Sequence, residues 1–222
     1  MRLSAVQMAQ DAAQTKEFEG GAALSCTSLA CVRGGRMLFR GVSFALTSGE
    51  ALHVTGPNGM GKSSLIRVLA GLLPAYAGKV DVQGRMALAD ERVALDQGQP
   101  LARALAHWAQ IDGTDADDIA RALAAVDLAH LADVPVRFLS TGQRKRALLA
   151  RIQVSRAAVW LLDEPANGLD TASIGRLGAM IAAHRATGGI VLAASHQPLP
   201  MQGAQILALA DFAGADLMAD AE

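Results

Sequence analysis

The chain has 222 residues, 51% of them hydrophobic, with 20 Lys and Arg against 21 Asp and Glu for a net charge of −1. That suffices for one full hydrophobic core, and the charge balance excludes the basic footprint that a nucleic-acid partner requires. Gln7, Gln10 and Asp11 interrupt the apolar run a signal peptide needs, and no stretch approaches the roughly 18 to 20 apolar residues of a membrane span, so a cytoplasmic chain without a span of its own is expected.

Residues 1–22 have no sustained period and read as a flexible lead-in. From Leu24 the pattern turns strand-like: "LSCTSLACV", "VSFAL" and "ALHVT", separated by the turn signals "RGGR" and "SGE". The first of these holds both cysteines, Cys26 and Cys31, and no His or Cys pair elsewhere completes a metal-ligand pattern, so two reduced thiols are expected. "GPNGMGKSSLIRVLAGLL" is a glycine loop feeding an amphipathic helix that stops near Gly71 to Pro74. Residues 79–89 suggest a short hairpin around Gln83 and Gly84.

From about 97 to 155 the spacing becomes helical in "PLARALAHWAQ", "DADDIARALAAVDLAHLA" and "GQRKRALLARIQVS", which predicts an inserted helical lobe. "AVWLL" returns to a buried strand, followed by a helix over 171–186, the strand "GIVLAA", the strand-like "ILALA" and an acidic tail. Strands and helices alternating on either side of a helical insertion argue for an α/β fold with a mostly parallel central sheet and a small antiparallel portion.

The loop formed by Gly56, Pro57, Asn58, Gly59, Met60, Gly61, Lys62, Ser63 and Ser64 fits G-x-x-x-x-G-K-[ST] between a strand and a helix. Its backbone N–H groups suit phosphate oxygens, Lys62 reaches the terminal phosphates, and the Ser63 hydroxyl suits Mg²⁺, so a nucleoside triphosphate is predicted. "AVWLLDEP" ends in Asp163, placed for the magnesium shell, and Glu164, placed to orient or deprotonate an attacking water. "LSTGQ" reads as a helix start capped by Ser140, with N–H groups that want an anion.

These motifs, with "NGLD" at 167–170 and "ASH" at 194–196, occur in an order that resembles the ATP-binding-cassette ATPases over nearly all of residues 24–210. The resemblance implies a P-loop nucleoside triphosphatase core, with residues 23–222 forming one nucleotide-binding domain. It further implies two copies paired head to tail, each ATP and its Mg²⁺ held between the glycine loop of one and Ser140, Gly142 and Gln143 of the other. Asp170 would then lie at the seam, and His196 would sense the γ-phosphate. Arg33 stands where such proteins carry an aromatic that stacks on adenine, and Asp90 or Glu91 stands where they carry a glutamine near the metal and water.

"CVRGGRMLFRGVSFALTSGE", "RAAVWLLDEP" and "GGIVLAASHQPL" are also similar to the ATPases of cytochrome c maturation. That resemblance implies haem export, integral membrane permease partners of the maturation complex, and a place on the cytoplasmic face of a bacterial inner membrane. A cassette serving another small substrate, or a soluble one acting in assembly, carries the same motifs. The "RKR" at 144–146 reads equally as a phosphate or partner contact and as a solvated face. Trp108 and Trp160 read as core residues, and His53, His107, His130 and His184 as structural or surface groups.

Overall fold

A computed structural model describes residues 21–90 and 94–213. The expected lead-in, apart from residues 21 and 22, and Glu91 lie outside the described residues. Strands β1 (Ala23–Arg33) and β2 (Arg36–Thr47) form an antiparallel ribbon closed by Gly34 and Gly35. β2 starts six residues before the expected "VSFAL", because pairing carries Met37 and Phe39 inward although arginines interrupt the apolar pattern. Next come β3 (Ala51–Thr55), helix α1 (Lys62–Leu69), β4 (Ala77–Gln83) and β5 (Met86–Ala89).

Residues 79–89 do not form a hairpin. β4 adds to the ribbon in the order β2-β1-β4, whereas β5 leaves it and joins the central sheet. The hand-over is made at Gly84, whose φ of +102° turns the chain in a conformation that L side chains rarely adopt. Alternation in the sequence predicts strands but not which sheet each one joins.

Helices α2 (Leu101–Asp112), α3 (Ala116–Ala125) and α4 (Thr141–Val154) follow β5 in the chain. The helix expected through "VDLAHLA" ends at Ala125. Asp127 has φ +56°, and a short 3₁₀ turn, Ala129–Leu131, replaces the continuation. β6 (Val159–Asp163), α5 (Thr171–Ala186), β7 (Ile190–Ala194) and β8 (Gln205–Ala208) complete the fold, α5 spanning the predicted 171–186. The central sheet runs β5-β6-β7-β3-β8, and every pairing in it is parallel.

Both faces of that sheet are covered, which is why β6 and β7 read as unbroken apolar runs. Val159, Leu161, Ile190 and Leu192 pack with α1 and the antiparallel ribbon. The alternate residues Trp160, Leu162, Val191 and Ala193 pack with α5 and the helices α2 to α4. Cys26 and Cys31 are buried free thiols in the ribbon, and burial pushes the Cys26 thiol up to about 12, so it behaves as an apolar side chain.

Candidate nucleotide site

The carboxyl ends of β3, β6 and β7 meet at one edge of the sheet, and their exits bring the predicted residues together. β3 feeds the glycine loop. Gly61, at its end, has φ +96°, and a Cβ there would sit 3.1 Å from Leu38 Cβ, so the position is closed to L side chains by both strain and space. Helix α1 begins at Lys62 with no side-chain cap, which leaves its first N–H groups for an anion.

Lys62 is buried; its ammonium donates to the carbonyl oxygens of Gly56 (2.8 Å) and Pro57 (3.2 Å) and pairs with Glu164 Oε1 at 3.4 Å. The Ser63 hydroxyl donates to Asp163 Oδ1 at 3.0 Å, joining the first turn of α1 to the end of β6. Both are hard oxygen donors, the chemistry Mg²⁺ prefers. Among the described residues no group of three or more His, Cys, Asp or Glu could hold a metal ion. This pair therefore suits an ion that completes its shell with water and phosphate oxygens.

Glu164 follows with φ +47°, a strained value for a side chain of its size, and its N–H donates to Ala194 O at 2.8 Å. The carboxylate is thereby turned toward His196, whose Nδ1 lies 3.0 Å from Oε2 and whose backbone N–H donates to the same oxygen at 3.4 Å. Burial raises the Glu164 carboxyl, but the His196 hydrogen bond and the Lys62 charge outweigh it and leave the group below its ordinary value. A strand end, a helix start and a switch of neighbouring strand thus converge on a single carboxylate.

A pocket of ≈ 360 Å³ opens over these groups, lined by Leu38, Asn58, Gly59, Gly61, Lys62, Ser63, Ser64, Glu164, Asn167 and His196. Leu38 and Asn167 were missed in the sequence; Asn167 stood inside the quoted "NGLD", but Leu38 carries no signal beyond strand alternation. Arg33 is not among the lining residues. It is exposed at the ribbon tip, opposite Arg36. Asp90 follows β5 directly and lines a ≈ 30 Å³ crevice with Lys145, Asp163 and Glu164, and its carboxylate lies 3.9 Å from Arg67.

The signature residues stand elsewhere. Ser140 caps α4 through a reciprocal pair: its Oγ accepts from the Gln143 N–H at 3.2 Å, and its own N–H donates to Gln143 Oε1 at 2.8 Å. Neither Ser140, Gly142 nor Gln143 lines the pocket, and Ser140 is exposed. A Cβ at Gly142 would lie 3.7 Å from Gly168 O, so the signature turn abuts the "NGLD" loop. Asp170 caps α5, and the Ser173 N–H donated to its carboxylate at 2.7 Å holds that carboxyl below the usual range. Two of the three cations at 144–146 are spent locally, Arg144 on the carbonyls of Leu139 and Arg137, and Arg146 on those of Val126 and Asp127.

A second cavity, ≈ 570 Å³, lies at the opposite edge of the sheet between Trp160, His184 and Gln153, and no carboxylate is among the described residues that line it. Trp160 and His184 stack there at 3.8 Å and 8°. His184 Nε2 lies 3.2 Å from Ala158 O, and burial pushes the imidazole below its ordinary value. A Cβ at Gly189 would run into this ring, so glycine is required there for contact alone.

A glycine loop between β3 and α1, with two carboxylates at the end of the nearby β6, defines a P-loop nucleotide-binding protein. The family model for ABC transporters matches residues 39–167. The cytochrome c biogenesis ATP-binding export protein CcmA of Zymomonas mobilis is 54% identical over 87% of this chain and 87% of its own length. The CcmA proteins of Sphingopyxis alaskensis (56%; 78% of this chain, 89% of that one) and Rhodospirillum rubrum (45%; 88% and 89%) are also similar. Among solved structures, an ABC transporter ATP-binding protein from Pyrococcus furiosus shares the fold with TM-score 0.77 at 21% identity, over 86% of this chain and all of that one. So does the ADP conformation of MJ1267, an ATP-binding cassette of an ABC transporter, with TM-score 0.65 at 21% identity over 81% and 83%. The chain belongs to the ATP-binding subunits of ABC transporters and, among them, to the CcmA family of cytochrome c biogenesis.

Proposed function

We propose that this chain hydrolyses ATP to power an exporter that serves cytochrome c biogenesis, with haem as the cargo. The observation that carries the catalytic reading is the convergence of Lys62, Ser63, Asp163, Glu164 and His196 around one pocket that the Ser140 helix start does not line. A site with a glycine loop and no signature, and a signature with no glycine loop, complement each other in two copies set head to tail.

In this reading the N–H groups of the loop from Gly56 to Ser64 and the start of α1 bind the polyphosphate, and Lys62 exchanges its carbonyl partners for phosphate oxygens. Ser63 and Asp163 would hold Mg²⁺, which when bound neutralises charge on the phosphates. Glu164, at the end of β6, accepts a hydrogen bond from the attacking water and so orients it or takes its proton. His196 shifts from Glu164 to the γ-phosphate and so reports its presence. Ser140, Gly142 and Gln143 of the second copy close the site, and Asp170 lies at the seam. Arg33 lends a guanidinium to the base, and Asp90 or Glu91 takes the part of the family's glutamine.

Residues 23–222 then act as one nucleotide-binding domain, with the helical lobe at about 97–155. No helix among the described residues is long and apolar enough to cross a membrane. The transport path accordingly belongs to permease subunits of the maturation complex, with this chain on the cytoplasmic face of the inner membrane. The family resemblance and the names of the relatives support this over a cassette for another substrate. The test is Glu164→Gln, which is expected to accumulate an ATP-bound dimer on size-exclusion chromatography; a variant that stays monomeric with ATP overturns the shared site. Lys62→Ala is expected to abolish haem staining of c-type cytochromes in cells, and normal staining removes the assigned pathway.

A further inference from the structure

We infer that Phe138 of one copy stacks on the adenine of the ATP held in the glycine-loop pocket of the other. The inference rests on the shared-site reading above and adds to it an aromatic partner for the base, from the opposite copy to Arg33. A purine offers two π faces, and aromatic side chains are its most general protein partners. Among the described residues that line the glycine-loop pocket there is no Phe, Tyr or Trp, and the apolar wall is Leu38.

Aromatic side chains are few, with five Phe, two Trp and one Tyr in the chain. Among the described residues, Phe39, Phe44, Phe212 and Trp160 are buried. Trp108 is committed inside the lobe, where its indole N–H donates to Ala94 O and the Arg151 guanidinium covers its ring at 4.1 Å. Of the aromatic side chains among the described residues, this leaves Phe138, 67% exposed, and Tyr76, 63% exposed, open to a partner. Tyr76 stands between α1 and β4, on a segment that carries no signature residue.

Phe138 stands two residues before the Ser140 cap, at the end of the 3₁₀ turn Val136–Phe138. Two residues span at most about 7 Å of chain, so a ring there lies alongside a nucleotide whose γ-phosphate meets Ser140. The backbone around it is held on both sides. Arg144 donates to the carbonyls of Arg137 and Leu139, the flanking residues, and the Phe138 N–H donates to Pro135 O at 2.9 Å. The Arg137 guanidinium lies 4.8 Å from the ring centroid on one face, which leaves the other for a base. A large apolar ring presented on a clamped turn costs little further entropy when it is covered.

The test uses the full chain in the Glu164→Gln background and reads the ATP concentration at which half of it is dimeric by size-exclusion chromatography with light scattering. Phe138→Ala and Phe138→Leu are each expected to raise that concentration about 5- to 50-fold, Phe138→Tyr to restore it to within about threefold, and ATP binding to the dilute monomer to stay unchanged. Leucine keeps the bulk and loses the π face, so recovery by leucine would make the residue a packing element and overturn the inference. An unchanged half-point in Phe138→Ala also overturns it, including the case where only recovery of permease subunits falls. Failure of the parent Glu164→Gln chain to dimerise with ATP overturns the shared site, and this inference with it.

Discussion

His196 and His184 flank the same strand, β7, and the fold uses them in opposite ways. His196, beyond the carboxyl end, is half-exposed and bound to a carboxylate that also touches Lys62. His184, before the amino end, is stacked on Trp160 against Gly189 and held in the neutral form by burial. In a parallel sheet the carboxyl ends open into loops and helix starts, where charge can be exchanged with a ligand, while the amino ends receive helix ends that only need packing. The same side chain is a ligand-facing group at one edge and a filler at the other.

The sharpest way to break this contrast is at Glu164. Glu164→Gln is expected to cut ATP turnover by about 10² to 10⁴-fold with little change in melting temperature, measured by phosphate release and calorimetry on one preparation. A comparable loss of both would make the carboxyl-edge network structural. Trp160→Ala should do the reverse, costing about 3 to 5 kcal/mol of stability while ATP affinity per folded molecule holds, as read by denaturant melts and nucleotide titration.

The third test is pH. The folded-state values of His184 and His53 both lie below the ordinary 6.5, so the unfolded chain binds more protons, and stability is lost as pH falls through that value toward the folded ones. His184→Phe keeps a ring on Trp160 and removes one titration. Its melting temperature should fall less between about pH 7 and pH 5.5 than that of the parent; equal slopes would assign the acid sensitivity elsewhere. The smallest effect belongs to Arg33, whose replacement by alanine should raise the ATP requirement about two- to fivefold. No change there would leave the base to other residues.

Much of the carboxyl edge was legible in the sequence, because each group is tied to a strand end by a few residues. Lys62 and Ser63 follow β3, Asp163 and Glu164 end β6, and His196 follows β7, so naming the strands nearly places the side chains. The antiparallel ribbon was legible as strands but not as a sheet: "KVDVQGRMALA" has the look of a hairpin, and only tertiary pairing sends β4 one way and β5 the other. The Trp160–His184 stack joins residues 24 positions apart through the fold. Phe138 resembled any apolar residue near a helix start until its exposure was known, and Leu38 acquires meaning only from its contact with Gly61.

The strand that carries the glycine loop has its neighbours far away along the chain. β3 pairs with β7 on one side and β8 on the other, so Thr55 waits for Ala208 to find its place. The β1–β2 ribbon closes locally and early, whereas the cradle gains support only when distant segments arrive. During synthesis a ribosome must release about two-thirds of the chain after that loop before it is braced on both sides. A prematurely stopped product that lacks β7 and β8 has neither strand that braces β3, so it is expected to hold ATP poorly and to compete little for a partner's signature.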